Sequence, residues 1–404
     1  HQLSRGLGDV YKRQPLLTFD KAVISQPVLG VEAGDTIVYQ VTIAHDQNGI
    51  GLDSSATAYD VGFSDTVPSS VLIDPASIQV TGTSGLTPAD FTVSANQLSI
   101  SADFDLPLGQ FVVVEYAVTV QNTVLPGESI VNDARLPWSS MSGVVTGERD
   151  DYLLQDAETV IAAGLIDATK AVLATSLPET PGTELTIGEV VTYEVQLDVF
   201  EGTTLDVVLT DVLPAELQFL PGTVQVVAPN MTTGYVDEAS NVFYDAGTRS
   251  LTIDLRYVVN PADDLNNRTL FVSYDAVVMD DAANASGQSK DNLVTAQARN
   301  LPDSQASATV NIVEPLLTID KTVNDDTPNL GQVLTYSVQI AHDQDGVGLD
   351  SNAPAFDLVI SDPLADPLLT LVPGTVAVTG PAGTTILSGN GAGDTTVAVS
   401  YTHL

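Results

Sequence analysis

Residues 16–23 read LLTFDKAV, and the pattern returns as LIDATKAV at 165–172 and LLTIDKTV at 316–323. Lys21, Lys170 and Lys321 hold the same place in each copy, at spacings of 149 and 151 residues, so the chain is an array with a period near 150. Only one other lysine, Lys290, occurs beyond the first fourteen residues; it has no repeat equivalent and reads as an ordinary surface residue. In each copy the lysine shares its parity with apolar residues: Leu17, Phe19 and Val23; Ile166, Ala168 and Val172; Leu317, Ile319 and Val323. Successive side chains on a strand point to opposite faces, so this parity sends the ammonium toward a core. A buried amine is costly unless it is paired, neutralised or chemically consumed.

Other landmarks follow in the same order. A Gly-acid or Gly-Gln turn leads into an alternating strand: GDTIVYQVTIAH, GEVVTYEVQLDV and GQVLTYSVQIAH. Ile37, Tyr39, Val41 and Ile43 form one face of the first, and Val38, Gln40 and Thr42 the other, as in a half-buried strand. Next come DVGFSDTVP, DVVLTDVLP and DLVISDPLA, in which Asp65, Asp211 and Asp362 sit on the apolar parity. A turn-like (P)GTVxV segment and further strands such as FVVVEYAVTV and TLFVSYDAVV complete the pattern. The closing strands carry Asn132 among Ile130, Ala134 and Leu136, and Asn292 among Val294, Ala296 and Ala298; Asn284 and Asn300 lie near the latter. Alternating segments punctuated by Gly, Pro, Asp and Asn, without a helical period, predict an all-β chain of tandem Ig-like, Greek-key β-sandwich repeats.

The expected units are 15–162, 163–313 and 314–398, the third cut off near its middle, without its closing strands and with unpaired edges. A linear array of such units is expected to be elongated, like a stalk. Residues 1–14 (HQLSRGLGDVYKRQ) and 399–404 (VSYTHL) resemble translated sequencing-adapter sequence and are set apart from the fold reading as artefactual leader and tail.

With no cysteine, disulfides, thiolate metal sites and a cysteine nucleophile are excluded. A net charge of −39, from 52 acidic and 13 basic residues, argues against nucleic acid and anionic membranes as partners. No run of 18 apolar residues appears, so no membrane-inserted segment is expected.

At the level of the lysine, the GDxVxYxVxV strand, the DxLP segment and a final NxAxV, residues 15–398 resemble the isopeptide-forming domains of bacterial fimbrial and surface-adhesin proteins. In that family a first-strand lysine bonds covalently to a last-strand asparagine with help from a buried acid. The resemblance implies the sets Lys21, Asp65 and Asn132, and Lys170, Asp211 and Asn292. Lys321 and Asp362 would stand without an asparagine. Some members use a late-strand glutamate; Glu115 is the candidate here, but Ser273 takes its place in the second unit, so the aspartates are preferred. The chemistry suits the residue types: a neutralised amine attacks an asparagine carbonyl polarised by the protonated acid, and ammonia leaves. The alternative is a non-covalent Lys–Asp–Asn triad.

The first and third units carry AHDQNGIGLDSS and AHDQDGVGLDSN, where the second has the short DVFEGTT. Asp46, Asn48 and Asp53, and Asp343, Asp345 and Asp350, resemble part of a calcium loop, the one cofactor the sequence suggests. The spacing fits no standard calcium motif, and Asp-Gly or Asn-Gly also make plain turns. His45 and His342 are expected to pack or cap at the strand ends. No Ser-His-Asp set, phosphate-cradling glycine loop or second histidine at metal spacing argues for an enzyme. The resemblance implies an extracellular structural stalk on a bacterial surface, whose partners are neighbouring repeats and, through a tip domain outside this sequence, a host or matrix ligand. The alternative function is a ligand- or glycan-binding surface module.

Overall fold

The computed structural model describes residues 13–50, 52–180, 182–262, 268–346, 351–380 and 384–403; residues 1–12 of the expected leader lie outside it. The chain is almost entirely β, and one helix of four residues, Glu238–Asn241, is the longest α element among the described residues. Among the described residues no helix is long and apolar enough to cross a membrane.

Between Leu17 and Ile161 two five-stranded antiparallel sheets face each other, and Ala58–Val61 pairs separately with Phe104–Leu106. One runs Leu17–Ser25, Thr36–His45, Phe111–Val120 and Val71–Ile73, with Gln79–Gly82 also on the Phe111 strand. The other runs Tyr152–Ile161, Ser129–Trp138, Ser64–Thr66, Gln97–Ile100 and Phe91–Ser94. The alternation in the sequence is what makes this sandwich. Thr36–His45 buries Ile37, Tyr39, Val41, Ile43 and His45 and turns the intervening residues outward. Ser129–Trp138 does the same with Ile130, Asn132, Ala134, Leu136 and Trp138. Before the Thr36 strand the chain reverses at Gly34, with φ of 87°; Gly188 and Gly331 repeat the turn at 85° and 81°, a conformation that only glycine adopts without strain.

The second unit repeats the plan between Ile166 and Ile312. Ile166–Thr175, Val190–Val199, Thr269–Val278 and Leu217–Phe219 face a sheet containing Ser304–Ile312, Ser289–Gln297, Gly202–Val212 and Ser250–Asn260. In the third unit Leu317–Val323 pairs with Tyr336–His342, and Phe356–Pro363 pairs with Thr396–His403, which also holds Thr385–Ser388. The expected tail therefore begins inside a strand.

The second unit is locked onto the first through its short loop. Phe200 is fully buried in the same apolar cluster as Val31, Val124 and Ala162 of the first unit. Around it the Ala33 N–H donates to the Glu201 carbonyl at 3.0 Å, and the Thr203 N–H to the Val124 carbonyl at 2.9 Å. The Thr203 hydroxyl donates to the Asn122 carbonyl at 2.6 Å, and Arg268 pairs with Glu32 at 2.9 Å. Gly34 permits the approach, because a Cβ there would stand 2.8 Å from the Ala262 methyl. Truncating a buried aromatic leaves a cavity costing about 3–5 kcal/mol. Phe200→Ala, although it lies beyond the last strand of the first unit, should therefore destabilise that unit. The chain's single tryptophan, Trp138, is buried there and reports its unfolding. Its denaturant midpoint should fall in the full-length variant; an unchanged midpoint would mean that the first core closes without Phe200.

Candidate functional site: a lysine, aspartate, tyrosine and asparagine between the sheets

In the first unit one sheet supplies Lys21, Tyr39 and Tyr116, and the facing sheet supplies Asp65 and Asn132. Tyr39 and Tyr116 are directly paired across their strands, and their rings stack at 5.7 Å. The Lys21 ammonium lies over the Tyr39 ring, 5.2 Å from its centre. It donates to Asp65 Oδ1, and both side chains are wholly buried. The Tyr116 hydroxyl donates to Asp65 Oδ2 at 2.5 Å and accepts from Asn132 Nδ2 at 2.7 Å; Lys21 Nζ reaches the same oxygen at 3.5 Å. Lysine and asparagine thus converge on one phenolic oxygen. The lysine strand is clasped from the opposite sheet, since the Lys21 N–H donates to Asp156 at 2.8 Å.

The second unit repeats the arrangement except at the acid, where Asp211 Oδ1 has no hydrogen-bond partner although Asp65 Oδ2 accepts from Tyr116. Lys170 donates to Asp211, and its side chain is fully buried. Tyr274 accepts from Lys170 at 3.1 Å and from Asn292 Nδ2 at 2.8 Å, and its ring faces Tyr193 at 5.8 Å. Asn284 is buried elsewhere, donating to the Glu216 and Met279 carbonyls, and Asn300 is exposed. It is Asn292 that meets the lysine's neighbour.

Burial sets the protonation. Desolvation pulls the Lys21 amine below its ordinary pKa and pushes the Asp65 carboxyl up, while their mutual attraction opposes both. Desolvation likewise lowers the Lys170 amine to about 8 and raises Asp211. The shifts run toward each other, so passing the ammonium proton to the carboxylate, which yields a neutral amine beside a protonated acid, costs far less here than in water.

Three expectations need correction. Lys321 also pairs with Asp362, at 2.6 Å, but its side chain is 41% exposed. Inward parity buries a lysine only where a second sheet covers it, and no counterpart of Tyr116 or Asn132 covers this one among the described residues. Lys290 is not an ordinary surface residue: it is buried, paired with Glu216 at 3.1 Å and donating to the Ala283 carbonyl at 2.8 Å. Asp65 was expected to polarise the asparagine directly, yet Tyr116 stands between them. Glu115 lies on the outward parity and accepts from Gln40 at 2.6 Å, away from the buried set.

Sequence reasoning missed the tyrosines, although the signal was there: Tyr39, Tyr193 and Tyr336 repeat on the inward parity, as do Tyr116 and Tyr274. It also missed the first aspartate of each DVGFSD-like segment. Asp60, Asp206 and Asp357 have φ of 48°, 54° and 51°, a left-handed conformation that aspartate tolerates better than most residues. Register shifts mark the first two positions. Each stands five residues before the aspartate that pairs with the repeat lysine.

The acidic loops are built as turns. Asp53 accepts from the Gly49 N–H at 3.0 Å, Asn48 from Ile50 at 2.7 Å, and Asp46 from Asn48 at 3.3 Å. In the third unit Asp343 accepts from the Asp345 N–H at 3.4 Å, and Asp350 lies outside the described residues. Three or more His, Cys, Asp or Glu residues placed to hold a metal do not occur among the described residues. His45 caps, as expected: Nδ1 bonds Ser54 Oγ at 2.7 Å and Nε2 meets the Leu106 and Pro107 carbonyls at 3.0 Å. His342 repeats the serine contact with Ser351 at 2.6 Å.

No protein-family model matches this sequence, and no curated protein matches it. Among solved structures, the chain is similar to the C-terminal domain of the AgI/II polypeptide BspA of Streptococcus agalactiae, at 10% identity over 73% of this chain and 100% of that one, with a TM-score of 0.28. It is similar to a 35 kDa C-terminal fragment of the major pilin GBS80 of S. agalactiae, at 12% identity over 73% and 91%, TM-score 0.28. A third likeness is to the collagen adhesin CNA of S. aureus, at 10% identity over 81% and 96%, TM-score 0.22.

Removing one member of a buried pair strands the other charge at a cost of about 3–5 kcal/mol, whereas apolar replacement of both is near neutral. In full-length protein carrying Lys21→Met, adding Asp65→Leu should therefore raise the stability of the first unit by about 3 kcal/mol. Trp138-monitored unfolding reads this directly, and a further loss on adding the second substitution would contradict the pairing.

Proposed function

We propose that this chain is a structural stalk segment of a bacterial cell-surface or fimbrial adhesin, and that its first two units close intramolecular Lys–Asn isopeptide bonds, Lys21 to Asn132 and Lys170 to Asn292, promoted by Asp65 and Asp211. The observation that carries this reading is the convergence of a buried lysine and a buried asparagine on one tyrosine oxygen beside a buried acid, repeated in both units. A surface structural repeat has a use for such a bond. It joins the first strand of a unit to its second-last, so tension entering at the first strand bypasses most of the fold. Closing a loop of about 110 residues constrains the unfolded chain by roughly 4–5 kcal/mol. That is a large share of a domain's stability. Like a disulfide it staples a secreted domain, but it needs no cysteine and survives reductants. In this reading the partners are adjoining repeats of the same chain, and ligand binding belongs to a tip domain.

Intact-mass measurement of the purified protein should find one ammonia missing per closed unit, two in all, and Lys21→Ala or Asp65→Ala should each restore one. A full-mass folded protein would leave a non-covalent buried triad and overturn the covalent reading.

The rate of closure should be bell-shaped in pH. The reactive pair shares one proton between amine and acid. On the acid side a second proton keeps the lysine as ammonium, unable to attack; on the alkaline side the proton needed by departing ammonia is lost. Mass spectra of freshly synthesised protein sampled across pH would show both limbs, and a rate that rises monotonically with pH would remove the acid from the mechanism.

A further inference from the structure

Both of the first two units bury a tyrosine hydroxyl and an asparagine oxygen with no hydrogen-bond partner in this site, Tyr39 with Asn132 Oδ1 and Tyr193 with Asn292 Oδ1; in the second unit Asp211 Oδ1 is unpartnered as well. Buried polar groups are nearly always satisfied, and a hydroxyl left unpaired in a core carries its full desolvation cost. Phenylalanine would supply the same ring for stacking and for the lysine to lie over without that cost. Yet tyrosine stands at this position in all three units, as Tyr39, Tyr193 and Tyr336. Tyr116 is differently employed, because its proton is directed to Asp65 and its lone pair to Asn132 Nδ2. Tyr39 keeps its proton unspent beside the asparagine, its ring stacked 5.7 Å from that of Tyr116, whose hydroxyl holds the Asn132 amide at 2.7 Å. Tyr193 is placed in the same way, 5.8 Å from the ring of Tyr274, whose hydroxyl holds the Asn292 amide at 2.8 Å.

We infer that Tyr39 and Tyr193 are the oxyanion donors of the cross-linking reaction, each holding an O–H in reserve for the charge that develops on the asparagine oxygen. This rests on the covalent reading above and adds a role that reading does not contain. The step balances as follows. Lys21 gives its ammonium proton to Asp65, and the neutral Nζ attacks Asn132 Cγ. As the new N–C bond forms, the carbonyl π pair moves onto Oδ1, and the Tyr39 O–H hydrogen-bonds the resulting oxyanion. The proton held by Asp65 passes through the Tyr116 hydroxyl to Nδ2. The Cγ–Nδ2 bond then breaks and ammonia departs. The surplus proton on the new amide nitrogen returns to Asp65. The oxygen that is orphaned in the resting amide thereby finds its partner when its charge is greatest, which is how a preorganised donor accelerates acyl transfer.

The test uses full-length protein from cell-free synthesis, sampled over time by intact mass and by peptide mapping of each unit. In Tyr39→Phe the first unit should lose its ammonia about a hundredfold more slowly, while the second unit of the same molecule closes at the wild-type rate. Tyr193→Phe should reverse the pattern. Trp138 fluorescence confirms that the first unit of Tyr39→Phe is folded, as expected when an unpaired hydroxyl is removed from a core. Closure of the first unit at the wild-type rate in folded Tyr39→Phe overturns the inference and leaves the cross-link standing. Wild-type protein that never loses ammonia overturns both.

Discussion

One buried ion pair joins the two sheets of each complete unit. Lys21 reaches from the first strand of one sheet to Asp65 in the middle of the other, and Lys170 reaches likewise to Asp211. In an interior of Val, Ile and Leu this pair is an unfavourable choice for stability alone, because desolvating two charges costs several kcal/mol per ion and an apolar pair of similar volume would do as well or better. What the pair does instead is specify. It ties the two sheets together at one point, where each charge meets its partner. It also brings the amine and the acid to a state in which one proton is readily exchanged.

The tyrosines tie that pair to the asparagine. Tyr116 accepts from the asparagine amide and donates to the acid, so one hydroxyl connects Asp65 to Asn132. The Tyr39 ring stacks on Tyr116 and lies under the lysine, covering the buried pair. The third unit shows what happens without that cover. Lys321 and Asp362 still find each other, and Tyr336 still lies under the ammonium at 4.9 Å, but the pair is open to solvent.

The joint between the first two units follows from a difference in one loop. Where the first and third units carry the longer His-Asp loop, the second turns tightly through Phe200, Glu201 and Gly202 and places an aromatic ring in its neighbour's core. A Cβ at Gly202 would stand 2.8 Å from the Val124 carbonyl, so this turn needs glycine to come so close. Units alike in their interiors are thus distinguished at their ends, where an array decides which junctions are stiff.

The period of the array, the all-β class and the inward direction of Lys21, Asp65 and Asn132 are legible in the sequence, because side-chain parity on a strand is local and repeats every two residues. The left-handed aspartates and the inward tyrosines left marks in the sequence too, but no local rule assigned them a task. Only the tertiary structure decided that Tyr116 intervenes between acid and amide, that Lys290 is buried against Glu216, that Lys321 is exposed, and that Phe200 completes another unit's core. Each of these depends on which strand lies opposite across a sandwich or a domain joint. Parity tells a side chain which way to face; what it meets there is set by contacts between residues far apart in the chain.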